Sequence, residues 1–227
     1  MKKGCEYYPV GLRLEGERVL VAGGGAVAER KVRKLIEFGA DVVLVSPLVT
    51  DTLAQLAQHG HLRWLERKVQ PGDVNGSCLV FAATNDSDTN SEIVAIAHEL
   101  SILANRADQA ADCDFITPAS FARGGVRVAL FSGGAGPAMS RWLRCKLEAV
   151  IDEETAIFSE FFRQIREEIL NLDIPQARRA ELLAAILDSE VREVFFSEGP
   201  TPALDRAHQI VEHFRETCVT GVERDAS

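Results

Sequence analysis

The chain has 227 residues, 46% hydrophobic and 26% charged, which supplies enough apolar surface for one large or two small domains and rules out disorder as the dominant state. A formal net charge of −9 argues against nucleic acid as the main partner, because phosphate backbones are held by clustered Lys and Arg. No apolar run nears the roughly 20 residues that span a bilayer, and Met1-Lys2-Lys3-Gly4-Cys5-Glu6 lacks the apolar stretch of a secretory leader, so a cytoplasmic protein with no membrane partner is expected.

Arg18-Val19-Leu20-Val21-Ala22 is a buried-strand run closed by glycines, and 26–38 carries Val27, Val32, Leu35 and Ile36 at helical spacing before Gly39 stops it. Asp41-Val42-Val43-Leu44-Val45 is a second strand, 50–59 a helix with Leu53 and Leu56 inward, and 62–65 a short strand. A further strand is expected at 78–83, a helix at 87–100 behind the polar cap region Asn85-Asp86-Ser87-Asp88, and a last strand at 101–104. Strands alternating with helices imply parallel pairing with right-handed crossovers.

The pattern changes near Asp114. Strands are expected at 115–117 and 126–131 around a Gly124-Gly125 turn, the second alternating as a half-buried antiparallel or interface strand does. From Pro137 the chain reads as helical, with breaks at Asp173-Ile174-Pro175 and Gly199-Pro200-Thr201-Pro202. The five cysteines (Cys5, Cys78, Cys113, Cys145 and Cys218) are scattered without a Cys-x-x-Cys pair, and all are expected to be reduced. The histidines, among them His59, His61, His208 and His213, fall on no common face, so they read as surface residues and no protein-held metal is expected.

Gly23-Gly24-Gly25-Ala26-Val27-Ala28 fits Gly-x-Gly-x-x-Ala after a strand and at the opening of a helix, where a dinucleotide fingerprint belongs. Gly23 permits the tight turn, Gly25 leaves room for a pyrophosphate, and Ala28 lets helix and strand approach; a plain glycine-rich turn is the simpler alternative. The second strand ends in Ser46-Pro47-Leu48 rather than in an acid that would grip ribose hydroxyls, and no cation stands there for a 2′-phosphate, which favours NAD over NADP. Thr84-Asn85-Asp86, at the carboxyl end of its strand, either caps the next helix, lines the cofactor site, or does both. The expected cofactor-binding residues are therefore Gly23, Gly24, Gly25, Ala26, Val27, Ser46, Pro47, Leu48, Thr84 and Asn85, together with Asn105, which either orients the cofactor or hydrogen-bonds the backbone in a turn.

The run Val19-Leu20-Val21-Ala22-Gly23-Gly24-Gly25-Ala26-Val27-Ala28-Glu29-Arg30-Lys31 resembles the opening of the precorrin-2 dehydrogenase domain of siroheme synthases. Ala82-Ala83-Thr84-Asn85-Asp86, Asn105-Arg106-Ala107-Asp108, Asp114-Phe115-Ile116-Thr117-Pro118-Ala119 and Ser132-Gly133-Gly134-Ala135-Gly136-Pro137 follow in the family's order and spacing. The resemblance implies NAD-dependent oxidation of precorrin-2 to sirohydrochlorin by a homodimer. In some members it extends to metal insertion, with Fe²⁺ or Co²⁺ as a substrate ion met by the substrate nitrogens and Asp108. It implies an α/β chain: a Rossmann-like doubly wound parallel sheet over 1–113, a small α+β dimerisation region over 114–150, and a helical C-terminal domain over 151–227.

The family's essential aspartate falls on Asp108, and its tetrapyrrole-binding segment on Ser132, Gly133 and Gly134. Arg106 departs from the small apolar residues usual between the Asn and Asp of that motif, and Gly136-Pro137 replaces a more common Ser-Pro. Read without the resemblance, Asp108 is either a loop aspartate or a carboxylate able to take a proton as hydride leaves a substrate. Arg123, Arg127, Arg141, Arg144 and Lys146 are either a solvated face or partners for substrate carboxylates, with Arg141 the expected contact. The alternative to an enzyme is a non-catalytic NAD(H)-binding redox sensor.

Overall fold

In a computed structural model of the chain, which describes residues 7–222 and their side chains to 215, the described residues form two compact units that divide after Thr117. In the first, β1 (Arg18–Ala22), β2 (Asp41–Val45), β3 (Arg63–Leu65), β4 (Leu79–Ala82) and β5 (Leu103–Arg106) pair in parallel in the order β3-β2-β1-β4-β5. Helices α1 (Ala26–Glu37), α2 (Asp51–Gln58) and α3 (Ser87–Glu99) supply the crossovers.

Alternate residues of a strand face opposite sides, so each strand serves two cores. Val19, Val21, Val42 and Leu44 pack with Ala28, Val32 and Leu35 of α1, while Leu20, Ala22, Val43 and Val80 pack with Ile93, Val94 and Ala97 of α3. This two-sided burial is why the strands read as unbroken apolar runs.

The fifth strand begins two residues later than 101–104. Ser101 takes a left-handed turn (φ 59°) as α3 ends, and pairing with β4 sets Phe81 against Asn105 and Ala82 against Arg106. Asn105 and Arg106 are therefore strand residues, and Asp108 follows them.

In the second unit, β6 (Ala119–Arg123) and β7 (Val126–Leu130) form an antiparallel pair around Gly124-Gly125. The strand expected at 115–117 is absent because Phe115 stays with the first unit, its ring edge-on to Phe81 at 5.2 Å. Helix α4 (Pro137–Val150) packs on the strand pair, and α5 (Glu153–Leu170), α6 (Gln176–Leu187), α7 (Val191–Glu198) and α8 (Pro200–Val222) follow.

Asp152 caps α5, accepting from the Thr155 N–H at 2.8 Å, a break the apolar pattern did not announce. Gly199 (φ 101°) ends α7, but Pro200 and Pro202 lie in the first turn of α8, where a missing N–H costs nothing. Phe158, Phe161, Ile165 and Ile169 of α5 pack against Leu182, Ile186, Val191, Ala203 and Ala207. Leu182 is fully buried there, so Leu182→Ala is expected to cost about 2–5 kcal/mol of stability, measurable as a lower urea midpoint.

Cys78, Cys113 and Cys145 are unpaired, while Cys5 and the Cys218 side chain lie outside the described residues. Among the described residues no helix is long and apolar enough to cross a membrane.

Candidate active site

The sheet order reverses between β1 and β4, and a cleft of about 660 Å³ opens at their carboxyl ends. Its floor is the glycine loop. The Gly23 N–H donates to the Val45 carbonyl at 3.0 Å, and the Thr50 N–H donates to the Gly24 carbonyl at 3.0 Å. Gly23 has φ 112°, and a Cβ there would sit 2.2 Å from the Ala83 carbonyl oxygen. A Cβ on Gly24 would sit 2.0 Å from the Leu48 carbonyl oxygen.

Gly25 differs from both, because a Cβ on it would meet nothing within 4 Å. It precedes α1, and no side chain caps the helix there. The loop thus presents open space and a helix N-terminus on one side, the arrangement that receives a pyrophosphate. Ala28 is fully buried, allowing the close helix–strand contact. Ala26 and Val27 open α1 and do not line the cleft.

Ser46, Pro47 and Leu48 line the adjoining wall. The buried Ser46 hydroxyl donates to the Leu48 carbonyl at 2.6 Å, and its own carbonyl accepts from Trp64 Nε1 at 2.9 Å. Ser46 therefore shapes the turn and its hydroxyl proton is spent inside it, whereas Leu48 is 80% exposed at the lip. Lys68 joins the lining from the segment after β3, because Leu65 pairs with Val45 and brings its successors alongside Ser46. A reading confined to the end of β2 does not see this cation. Asp86 and Glu92 add acidic groups to the lining.

Thr84 and Asn85 form the wall beyond β4. Thr84 Oγ1 donates to Asn90 Oδ1 at 2.7 Å, and Asn90 Nδ2 donates to the Thr84 carbonyl at 3.1 Å and to Asp108 Oδ1 at 3.0 Å. Asn90 is fully buried and stands between the cleft wall and Asp108. The cap segment foreseen at 85–88 holds here too: Asp86 accepts from the N–H groups of Asp88 and Thr89.

Asp108 itself lies outside the cleft lining, with its side chain 37% exposed. Arg106 Nε and Nη2 donate to its two oxygens at 3.1 and 3.2 Å, and Ser87 Oγ donates to Oδ2 at 2.9 Å. The Arg106 guanidinium, first, and then Ser87 and Asn90 hold this carboxyl down at about 2. Its folded value is below the ordinary carboxylate range, so the pair supports the fold above that range. The support fades as pH falls through about 2.

Asn105 is not brought to the cleft. Its amide donates to the Phe115 carbonyl at 2.8 Å, and its oxygen accepts from Lys31 Nζ at 2.7 Å. Lys31 sits 4.6 Å over the Phe81 ring, and burial pushes its ammonium below the usual lysine range. Of the two roles open to Asn105, the structure shows the hydrogen bond to backbone, with Lys31 as a second partner.

Ser132, Gly133, Gly134 and Arg141 belong to the second unit. Ser140 Oγ donates to Ser132 Oγ at 2.8 Å, and Gly133, Gly134 and Gly136 take φ of 58°, 86° and 93° ahead of Pro137. Arg123 pairs with Glu153 at 3.3 Å and Arg144 with Glu148 at 3.8 Å, and Lys146 lies 5.5 Å over the Trp142 ring. Arg141 is exposed without a side-chain partner among the described residues. His98 pairs with Asp114 and His208 with Glu168, and no group of three metal-ligating side chains occurs among the described residues.

Fold, strand order and glycine cradle define a Rossmann-type dinucleotide-binding protein, and a family model described as "Putative NAD(P)-binding" matches residues 10–119. Siroheme synthase 3 of Aeromonas hydrophila subsp. hydrophila is 37% identical over 164 residues, covering 72% of this chain and 35% of that protein. The siroheme synthase of Gluconacetobacter diazotrophicus is 35% identical over 230 residues, covering 96% of this chain and 46% of that protein. The chain thus spans less than half the length of these curated relatives. A solved structure of "SirC, precorrin-2 dehydrogenase" superposes with a TM-score of 0.73 at 28% identity, covering 89% of this chain and all of that one. The family model, these relatives and this structure together support a place for the chain among the precorrin-2 dehydrogenases and siroheme synthases.

Proposed function

We propose that the protein oxidises precorrin-2 to sirohydrochlorin with NAD⁺ in a cytoplasmic route to siroheme. The observation that carries this reading is the hydrogen-bonded line that starts at Thr84, which lines the same cleft as the open glycine cradle, and runs through Asn90 to Asp108. Gly23, Gly24 and Gly25 hold the pyrophosphate against the N-terminus of α1, and Leu48, Pro47, Thr84 and Asn85 flank the rest of the cofactor. When bound, NAD⁺ supplies the acceptor for a hydride. As that hydride leaves the macrocycle with its electron pair, Asp108 takes the accompanying proton and a new double bond forms in the ring system. Ser132, Gly133, Gly134 and Arg141 bind the substrate, with the Arg141 guanidinium meeting one of its carboxylates.

The test is to supply the chain with precorrin-2 and NAD⁺ and follow both products. NADH and sirohydrochlorin should appear in equal amounts, with a clear preference over NADP⁺. Cofactor binding without turnover would support the redox-sensor reading instead.

A homodimer is part of the same reading, built from the strand pair and α4 within the 114–150 region. Helix α4 buries none of its residues, and Met139, Trp142 and Val150 are 42%, 56% and 72% exposed. Trp142→Glu is expected to convert a dimer to monomers at micromolar concentration without loss of helical signal, as read by sedimentation and circular dichroism.

A further inference from the structure

The Asp108 carboxylate has no acceptor direction left. An ionised carboxylate offers about four lone-pair sites, and four donors occupy them: Arg106 Nε and Asn90 on Oδ1, Arg106 Nη2 and Ser87 on Oδ2. A proton acceptor must lose at least one of these partners before it can act. Asn90 is not the one, because it is fully buried and its amide is tied to Thr84 at both ends.

Arg106 supplies two of the four bonds, from a side chain that is 10% exposed. Its remaining donors reach Asp112 at 2.7 Å, Ser87 Oγ at 2.7 Å and the Ser87 carbonyl at 3.2 Å. Asp112 and Ser87 are both exposed, so a ligand carboxylate that displaces one of them reaches this end of the guanidinium. Arg is suited to exchange one carboxylate for another, since its fork fits either in the same geometry.

From this saturation we infer that Arg106 is a positioning residue that latches Asp108, and that a carboxylate of the tetrapyrrole draws the guanidinium away and frees Asp108 as the proton acceptor. The inference rests on the function proposed above and adds to it a reason for Arg106. In the resting protein the latch keeps Asp108 ionised but occupied. With substrate seated, the guanidinium spans to the ligand and Asp108 keeps only Asn90 and Ser87.

A double-mutant cycle on equilibrium binding of metal-free sirohydrochlorin, read by fluorescence quenching in the full chain, tests the latch. Arg106→Ala should weaken binding about tenfold, because the ligand loses a cation. Asp108→Ala should tighten it about fivefold, because the guanidinium no longer has to be drawn away. In the Arg106→Ala background, Asp108→Ala should change nothing.

Equal tightening in both backgrounds would mean simple charge repulsion and would overturn the latch. So would unchanged binding in Arg106→Ala, provided circular dichroism shows that variant folded. Arg106→Lys, which keeps the charge without the fork, should fall between native and Arg106→Ala, and it replaces Arg106→Ala in the cycle if the latter does not fold. If the native chain binds no sirohydrochlorin and oxidises no precorrin-2, the functional reading itself falls and takes the latch with it. Native turnover with an additive cycle removes the latch alone.

Discussion

Asp108→Ala is expected to lower turnover of precorrin-2 by about a hundredfold or more, while the dissociation constant for NAD⁺ moves by less than about twofold. Both halves come from position. The carboxylate is joined to the cleft wall only through Asn90, and it does not line the space the cofactor would fill. Its removal takes away the proton acceptor and leaves the glycine cradle untouched. Asp108→Asn should be as inactive, since an amide cannot take the proton. Steady-state kinetics and NAD⁺ titration check the two halves separately, and loss of cofactor affinity in step with turnover would contradict the assignment. The variant also leaves one Asn90 donor and part of the Arg106 fork unpaired, so a stability loss of about 1–2 kcal/mol should accompany it.

The glycines should separate into two kinds. Gly25→Leu is expected to keep the fold and lose NAD⁺ affinity by on the order of a hundredfold, because its side chain would enter the open side of the loop. Gly23→Ala is expected to destabilise the protein by on the order of 3 kcal/mol, since it combines φ 112° with a 2.2 Å approach to the Ala83 carbonyl oxygen. Neither obstacle can yield cheaply, because Ala83 is backbone in the pairing of β1 with β4. Thermal melts and cofactor titration distinguish the two cases. A Gly25→Leu protein that binds NAD⁺ normally would remove the cradle from the cofactor site.

The first unit is largely legible in the sequence, because two-sided burial writes itself into unbroken apolar runs such as Val19-Leu20-Val21. The glycine turn was legible for a different reason: its constraint is local to three residues. Features set by distant partners were not. The start of β5 depends on register with β4, so composition alone begins it at Ser101, and which of its two roles Asn105 takes depends on Lys31 and Phe115, both distant in sequence. Lys68 reaches the cleft only through the pairing of β3 with β2, and Asn90 reads in sequence as one more polar residue of a helix. The strand expected at 115–117 has the right composition, but Phe81 claims its aromatic ring and the pairing begins at Ala119.

Thr50 performs three tasks at once. Its hydroxyl accepts from the Leu53 N–H to cap α2, the same oxygen donates to Glu29 on α1 at 2.7 Å, and its own N–H holds the Gly24 carbonyl. One residue thereby ties both flanking helices to the glycine loop. The cradle is consequently rigid in advance of any ligand, so association there forfeits little backbone freedom and most of the contact energy survives as affinity.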